Sequence, residues 1–77
     1  MNIIYASDNY YVVEYPAQRG YELVDKRTQR GTYFQGDVAA RFLEAMKQAI
    51  AEDASVERVD EFLGSFDILL TQPMVVH

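Results

Sequence analysis

The chain changes period once. Up to Gln35 its apolar residues alternate in short runs, and from Asp37 onward they recur at three- and four-residue spacing. The run Tyr10-Tyr11-Val12-Val13-Glu14-Tyr15, closed by Pro16, is β-branched or aromatic almost throughout. Both of its alternating sets carry apolar bulk, with Tyr11, Val13 and Tyr15 on one face and Tyr10 and Val12 on the other. A strand of that kind lies inside a sheet with something against each side. Around it, Asn2 to Tyr5 reads as a first strand, and Ala6-Ser7-Asp8-Asn9 as a turn short enough for an antiparallel hairpin. Pro16 to Gly20 breaks the pattern, Tyr21 to Asp25 forms a third strand, and Arg30 to Gln35 forms a fourth that Gly31 weakens. The simplest topology is a four-stranded antiparallel meander.

Asp37 opens the helical half as an N-cap, its carboxylate placed to accept from the free amides of the first turn. Ala39, Phe42, Leu43, Met46, Ala49 and Ile50 then line one side of an amphipathic helix that runs to about Glu52, with Arg41, Glu44, Lys47 and Gln48 elsewhere on the wheel. After a short connection, Ser55 caps a second helix whose apolar side holds Val56, Val59, Phe62, Leu63, Phe66, Leu69 and Leu70. Gly64 lies inside that pattern; it either ends the helix or lets another backbone approach closely. Pro73 stops helical geometry near Gln72, leaving Met74, Val75, Val76 and His77 as an extended apolar arm that needs a groove or a sheet edge to cover it. The expected object is one α+β domain over residues 1–77, in the order ββββαα with a terminal arm.

Charge and composition then narrow the function. The net charge of −5 is uneven: the first 36 residues hold four basic and four acidic side chains, and the remainder three and eight. Phosphate backbones are repelled by that second half. Without cysteine, disulfides and thiolate metal sites are excluded. Neither a signal peptide nor a membrane span is expected, since Asp8 interrupts the one early apolar run; a cytoplasmic location fits best.

Candidate chemistry is sparse. His77 is the sole histidine, which leaves no His-dependent triad or cluster, and no catalytic, cofactor or metal residue is assigned. Glu57, Asp60, Glu61 and Asp67 are read as the solvated side of the second helix, with Arg58 and Glu61 at a favourable spacing, because no calcium-loop pattern is present. Lys26, Arg27 and Arg30 form a basic hairpin tip, but the acidic balance of the domain makes nucleic acid the weakest reading. Tyr5, Tyr10, Tyr11, Tyr15, Tyr21 and Tyr33 all fall in the sheet half, while Phe42, Phe62 and Phe66 fall in the helices. Tyrosine suits a face that is apolar yet wet at its edge, which is the composition of protein interfaces.

The run Phe62-Leu63-Gly64-Ser65-Phe66-Asp67, followed by Thr71-Gln72-Pro73 and His77, resembles the ending of a family of small uncharacterised bacterial proteins, a domain of unknown function. Asn9-Tyr10, Val12-Val13-Glu14, Gly20-Tyr21-Glu22, Val24-Asp25-Lys26 and Arg41-Phe42 are similar to earlier landmarks of the same family, so the resemblance covers nearly the whole chain. It implies a small bacterial domain and assigns no catalytic or binding residue.

The expected function is therefore protein contact without catalysis, through a homodimer that uses Tyr10, Tyr11, Tyr15, Tyr21 and Tyr33 or the arm Met74, Val75, Val76 and His77. The alternatives are a sensor that binds a small molecule between sheet and helices, and nucleic-acid binding through Lys26 to Arg30.

Overall fold

The structure is a computed structural model that describes residues 1–71; the arm residues Met74, Val75, Val76 and His77 lie outside the described residues. Four strands, β1 (Asn2–Ala6), β2 (Tyr10–Tyr15), β3 (Gly20–Asp25) and β4 (Arg30–Gln35), form one antiparallel sheet in the order β1-β2-β3-β4. Two helices follow, α1 (Gly36–Glu52) and α2 (Val56–Thr71). The protein is an α+β domain with the ββββαα order, as the periodicity predicts.

The register explains which side chains meet the helices. Val12 pairs with Leu23 across β2 and β3, and Leu23 with Thr32; one step along, Val13 pairs with Glu22 and Glu22 with Tyr33. Because strand side chains alternate, the two sets face opposite sides of the sheet. Tyr10, Val12, Leu23 and Phe34 join Ala39, Phe42 and Met46 of α1 and Val59 and Leu63 of α2 in one buried cluster. Phe42 and Leu63 are fully buried at its centre. The rings of Tyr21, Phe34, Phe42, Phe62 and Phe66 meet at centroid separations of 4.9–6.2 Å and fill the layer between sheet and helices.

Two helix starts differ in mechanism. Ser55 caps α2 as expected, its Oγ accepting from the Arg58 amide at 3.3 Å. Asp37 does not cap α1. The chain enters that helix through Gly36 at φ 68°, so Gln35 occupies the cap position without a side-chain hydrogen bond, and Asp37 falls inside the first turn, where its charge faces the helix dipole. A side chain at Gly36 would have open space around it but would be forced into left-handed backbone geometry. Gly36→Ala is expected to cost about 1 kcal/mol in urea denaturation, through backbone strain alone.

Gly64 does not break α2, which runs on to Thr71. What comes close is the Tyr10 hydroxyl, 3.3 Å from where a Cβ at this position would stand. The glycine makes room for a tyrosine to lie against the helix, at the propensity cost that an interior glycine carries.

Candidate functional site

The outer face of the sheet, on the side away from both helices, carries Ile3, Ala6, Tyr11, Val13, Tyr15, Glu22, Val24, Gly31 and Tyr33 by register. Ile3, Val13, Glu22 and Tyr33 form one row straight across all four strands. A step along, Tyr11 lies beside Val24 and Val24 beside Gly31. Met1, Ile3, Ala6, Tyr11, Val13 and Tyr15 line a shallow groove that Glu22 and Lys26 close on the β3 side. Ile3 is 64% exposed and Tyr33 46%, whereas Val13 at the centre is only 4% exposed.

Val13 is shielded because its neighbours lie down over the sheet. Tyr15 reaches along it and donates its hydroxyl to Glu22 Oε1 at 2.9 Å; that hydrogen bond, followed by burial, pushes the Tyr15 phenol up from its ordinary value. The Tyr15 ring stands edge-on to Tyr33, with centroids 5.8 Å apart. Tyr33 lies over Gly20 and the Glu22 carboxylate over Gly31, each in space that a Cβ would occupy. These two glycines, uninformative as strand residues, provide the floor on which the long side chains rest.

The tyrosines named from the sequence are divided between the two faces. Tyr11, Tyr15 and Tyr33 come together on the outer face, while Tyr10 and Tyr21 point to the helices and do not join them. Tyr10 is buried because α2 lies against its side of β2, and Arg27 seals its tip: the guanidinium sits 5.5 Å from the ring centroid and donates to the hydroxyl at 3.2 Å. Tyr21 stacks on Phe34 and lies tilted against Phe42. Burial first, and then the nearby Asp25 charge, pushes the Tyr10 phenol up.

Arg27 and Lys26 of the basic hairpin tip are engaged within the protein, while Arg30 is exposed. Arg27 pairs with the buried Asp25 at 3.3 Å, and its backbone amide donates to the same carboxylate. Burial pulls the Asp25 carboxyl up, but these Arg27 contacts outweigh it and hold it below the usual range. Lys26 Nζ donates to the Ser7 carbonyl at 2.9 Å.

The acidic side of α2 requires a correction at Asp60. Glu57 and Glu61 are exposed, and Arg58 pairs with Glu61 at 3.2 Å as the spacing predicts. Asp60 is instead half-buried against the β1–β2 turn, where its carboxylate accepts from the Tyr5 hydroxyl at 2.9 Å, the Ser7 hydroxyl at 2.8 Å and the Asn9 amide at 3.0 Å. Burial raises its pKa, but the hydrogen bonds from Asn9, Ser7 and Tyr5 prevail and hold it below the ordinary carboxylate range. Asp67 is also half-buried, and burial followed by the Asp25 charge pushes it up. Among the described residues no three His, Cys, Asp or Glu side chains gather into a metal site. No described helix is long and apolar enough to cross a membrane.

Fold and surface together define a small α+β domain with two helices packed on one face of the sheet and an apolar, tyrosine-bearing open face on the other; Ile50, Val56 and Leu69, expected on the apolar sides of the helices, are exposed. The chain belongs to a family described as protein of unknown function (DUF3567), whose model matches residues 1–77. It is 51% identical over 85 residues to Protein BTH_I0359 of Burkholderia thailandensis, with the whole of both chains covered. No solved structure matches the chain. The resemblance read from the Phe62 to Asp67 run and its companions is thus confirmed at the level of the family. The geometry accounts for part of that run: Gly64 seats Tyr10, and Leu63 and Phe66 belong to the core.

Proposed function

We propose that this protein is a non-catalytic, cytoplasmic contact domain that pairs with a second copy of itself through the outer face of its sheet. The observation that carries the reading is the row of Ile3, Val13 and Tyr33, with Tyr11 and Tyr15 beside it, on a face that no described element covers. Charge favours a second copy as the occupant. The excess negative charge sits after residue 36, on the helical side of the protein, while the outer face offers Glu22 and Lys26 and so carries no net like-charge repulsion.

The size of the face fits a weak, reversible dimer and not a tight one. Four strands spaced about 4.8 Å apart and about six residues long at roughly 3.4 Å each present a projected area of roughly 400 Å². Two copies bury roughly 800 Å² before side-chain relief is counted, which approaches the lower end of specific interfaces at about 1,200 Å². The ring packing between sheet and helices favours this reading over the ligand-pocket alternative, since the openings lie at the rim of that layer, one of them beside Glu14, Arg19, Tyr21 and Leu43. The internal use of Arg27 and Lys26 favours it over the nucleic-acid alternative.

Sedimentation equilibrium of the full chain tests the proposal: it is expected to show a monomer–dimer equilibrium. Ile3→Lys combined with Tyr11→Lys places a charge on each of two outer positions and is expected to give a monomer at every concentration. The unfolding midpoint at low protein concentration should be little changed, because neither side chain belongs to the buried cluster. A wild-type chain that stays monomeric up to millimolar concentration overturns the reading.

A further inference from the structure

The two charged groups on the outer face are held differently. Lys26 is exposed at the rim and tied to the Ser7 carbonyl. Glu22 is half-buried in the central row, between Val13 of β2 and Tyr33 of β4. One carboxylate oxygen accepts from Tyr15, and the carboxylate as a whole lies against Gly31, so the side chain rests flat on the face. The groups around it are Tyr15, Val13 and Tyr11 from β2, Lys26 from the turn after β3, and Tyr33 and Gly31 from β4.

Resting on the self-pairing proposed above, we infer that Glu22 is the residue that sets the strength and selectivity of that contact. Covering the face strips water from a carboxylate whose hydrogen-bond partner among the described residues is one phenol hydroxyl. A neutral hydroxyl compensates only part of the loss of hydration of a charge. The remaining penalty keeps the pairing reversible, and it turns away apolar partners that bring no donor to Glu22. Without the charge, the central row holds no ionised group and Lys26 stays hydrated at the rim, so the face associates more tightly and with less discrimination.

Glu22→Gln tests this directly, because glutamine fills the same space and keeps an oxygen for the Tyr15 hydroxyl while losing the charge. In sedimentation equilibrium at fixed ionic strength, the dimer of the variant is expected to be tighter than wild type by about tenfold or more. An equal or weaker dimer overturns the inference; if Lys26→Met weakens it in the same way, the carboxylate is compensated by Lys26 of the second copy. A wild-type dimer that Glu22→Gln leaves unchanged removes the role of Glu22 and spares the self-pairing. If wild type and Glu22→Gln both remain monomeric, the self-pairing itself falls.

Discussion

Phe42→Ala is expected to remove a large share of the stability of this domain. Phe42 has no exposed surface and touches rings from both layers, with centroids at 4.9 Å from Phe34 and Phe66 and 5.9 Å from Tyr21 and Phe62. Truncating a buried phenylalanine costs about 3–5 kcal/mol, because the transfer energy of the ring is lost and the neighbours collapse only in part. A chain of this length has only about 4–12 kcal/mol to lose, at roughly 0.05–0.15 kcal/mol per residue. The variant is therefore expected to be substantially unfolded, or to melt at far lower urea than wild type, when followed by far-UV circular dichroism. Phe42→Leu retains much of the volume and should lose roughly 1–2 kcal/mol. Near-equal costs for the two variants would show that ring contacts, rather than volume, hold the layers together.

The same residue illustrates what the sequence makes legible. Phe42 and Met46 recur at helical spacing against a sheet whose strands are β-branched and aromatic, and that change of period suffices for the ββββαα order. The faces of the Tyr10–Tyr15 strand are harder to assign, because both are apolar, and which one the helices cover depends on how the chain crosses the sheet. Tyr10 and Tyr11 are adjacent and chemically equal, yet one is sealed against α2 and the other faces outward. The start of α1 is displaced from Asp37 because Gly36 adopts positive φ, a choice that Gly permits and does not dictate. Glu22 and the two glycines of the outer face become visible only through the strand register, which places Val13, Glu22 and Tyr33 in one row although they are far apart in the chain.

Asp60 escapes sequence reading for a related reason, and it supports the second large prediction. On the helix wheel it belongs with Glu57 and Glu61, but its partners come from residues more than fifty positions earlier. Ser7 is the pivot of the contact. Its hydroxyl donates to Asp60 and so presents its lone pairs to the backbone amides of Asn9 and Tyr10, at 3.2 and 3.1 Å, which shapes the β1–β2 turn. Asp60→Ala removes the acceptor for Tyr5, Ser7 and Asn9 together and is expected to cost about 2–3 kcal/mol, the range for charge-assisted hydrogen bonds at a site that water partly reaches. The urea midpoint should fall by roughly 2–3 M, given a slope near 1 kcal/mol/M for a small domain.

The pH dependence gives a sharper test than the midpoint alone. Hydrogen bonding holds the Asp60 carboxyl lower in the folded protein than in the unfolded chain, so its contribution is complete above the ordinary carboxylate range and is lost as the pH falls through the folded value. Asp67 is shifted the opposite way, so its ionisation costs stability as the pH rises through its own folded value, and the profile of wild type alone mixes the two signs. The difference between wild type and Asp60→Ala isolates the first: it should be constant near neutrality and shrink below about pH 4. A difference that persists unchanged into strong acid would mean that Asp60 acts through packing, and that the Ser7 hydroxyl shapes its turn without a charged acceptor. Ser7→Ala adds the last step. If Asp60 works by orienting that hydroxyl, the double variant should cost clearly less than the two single losses combined, because both remove the same contact.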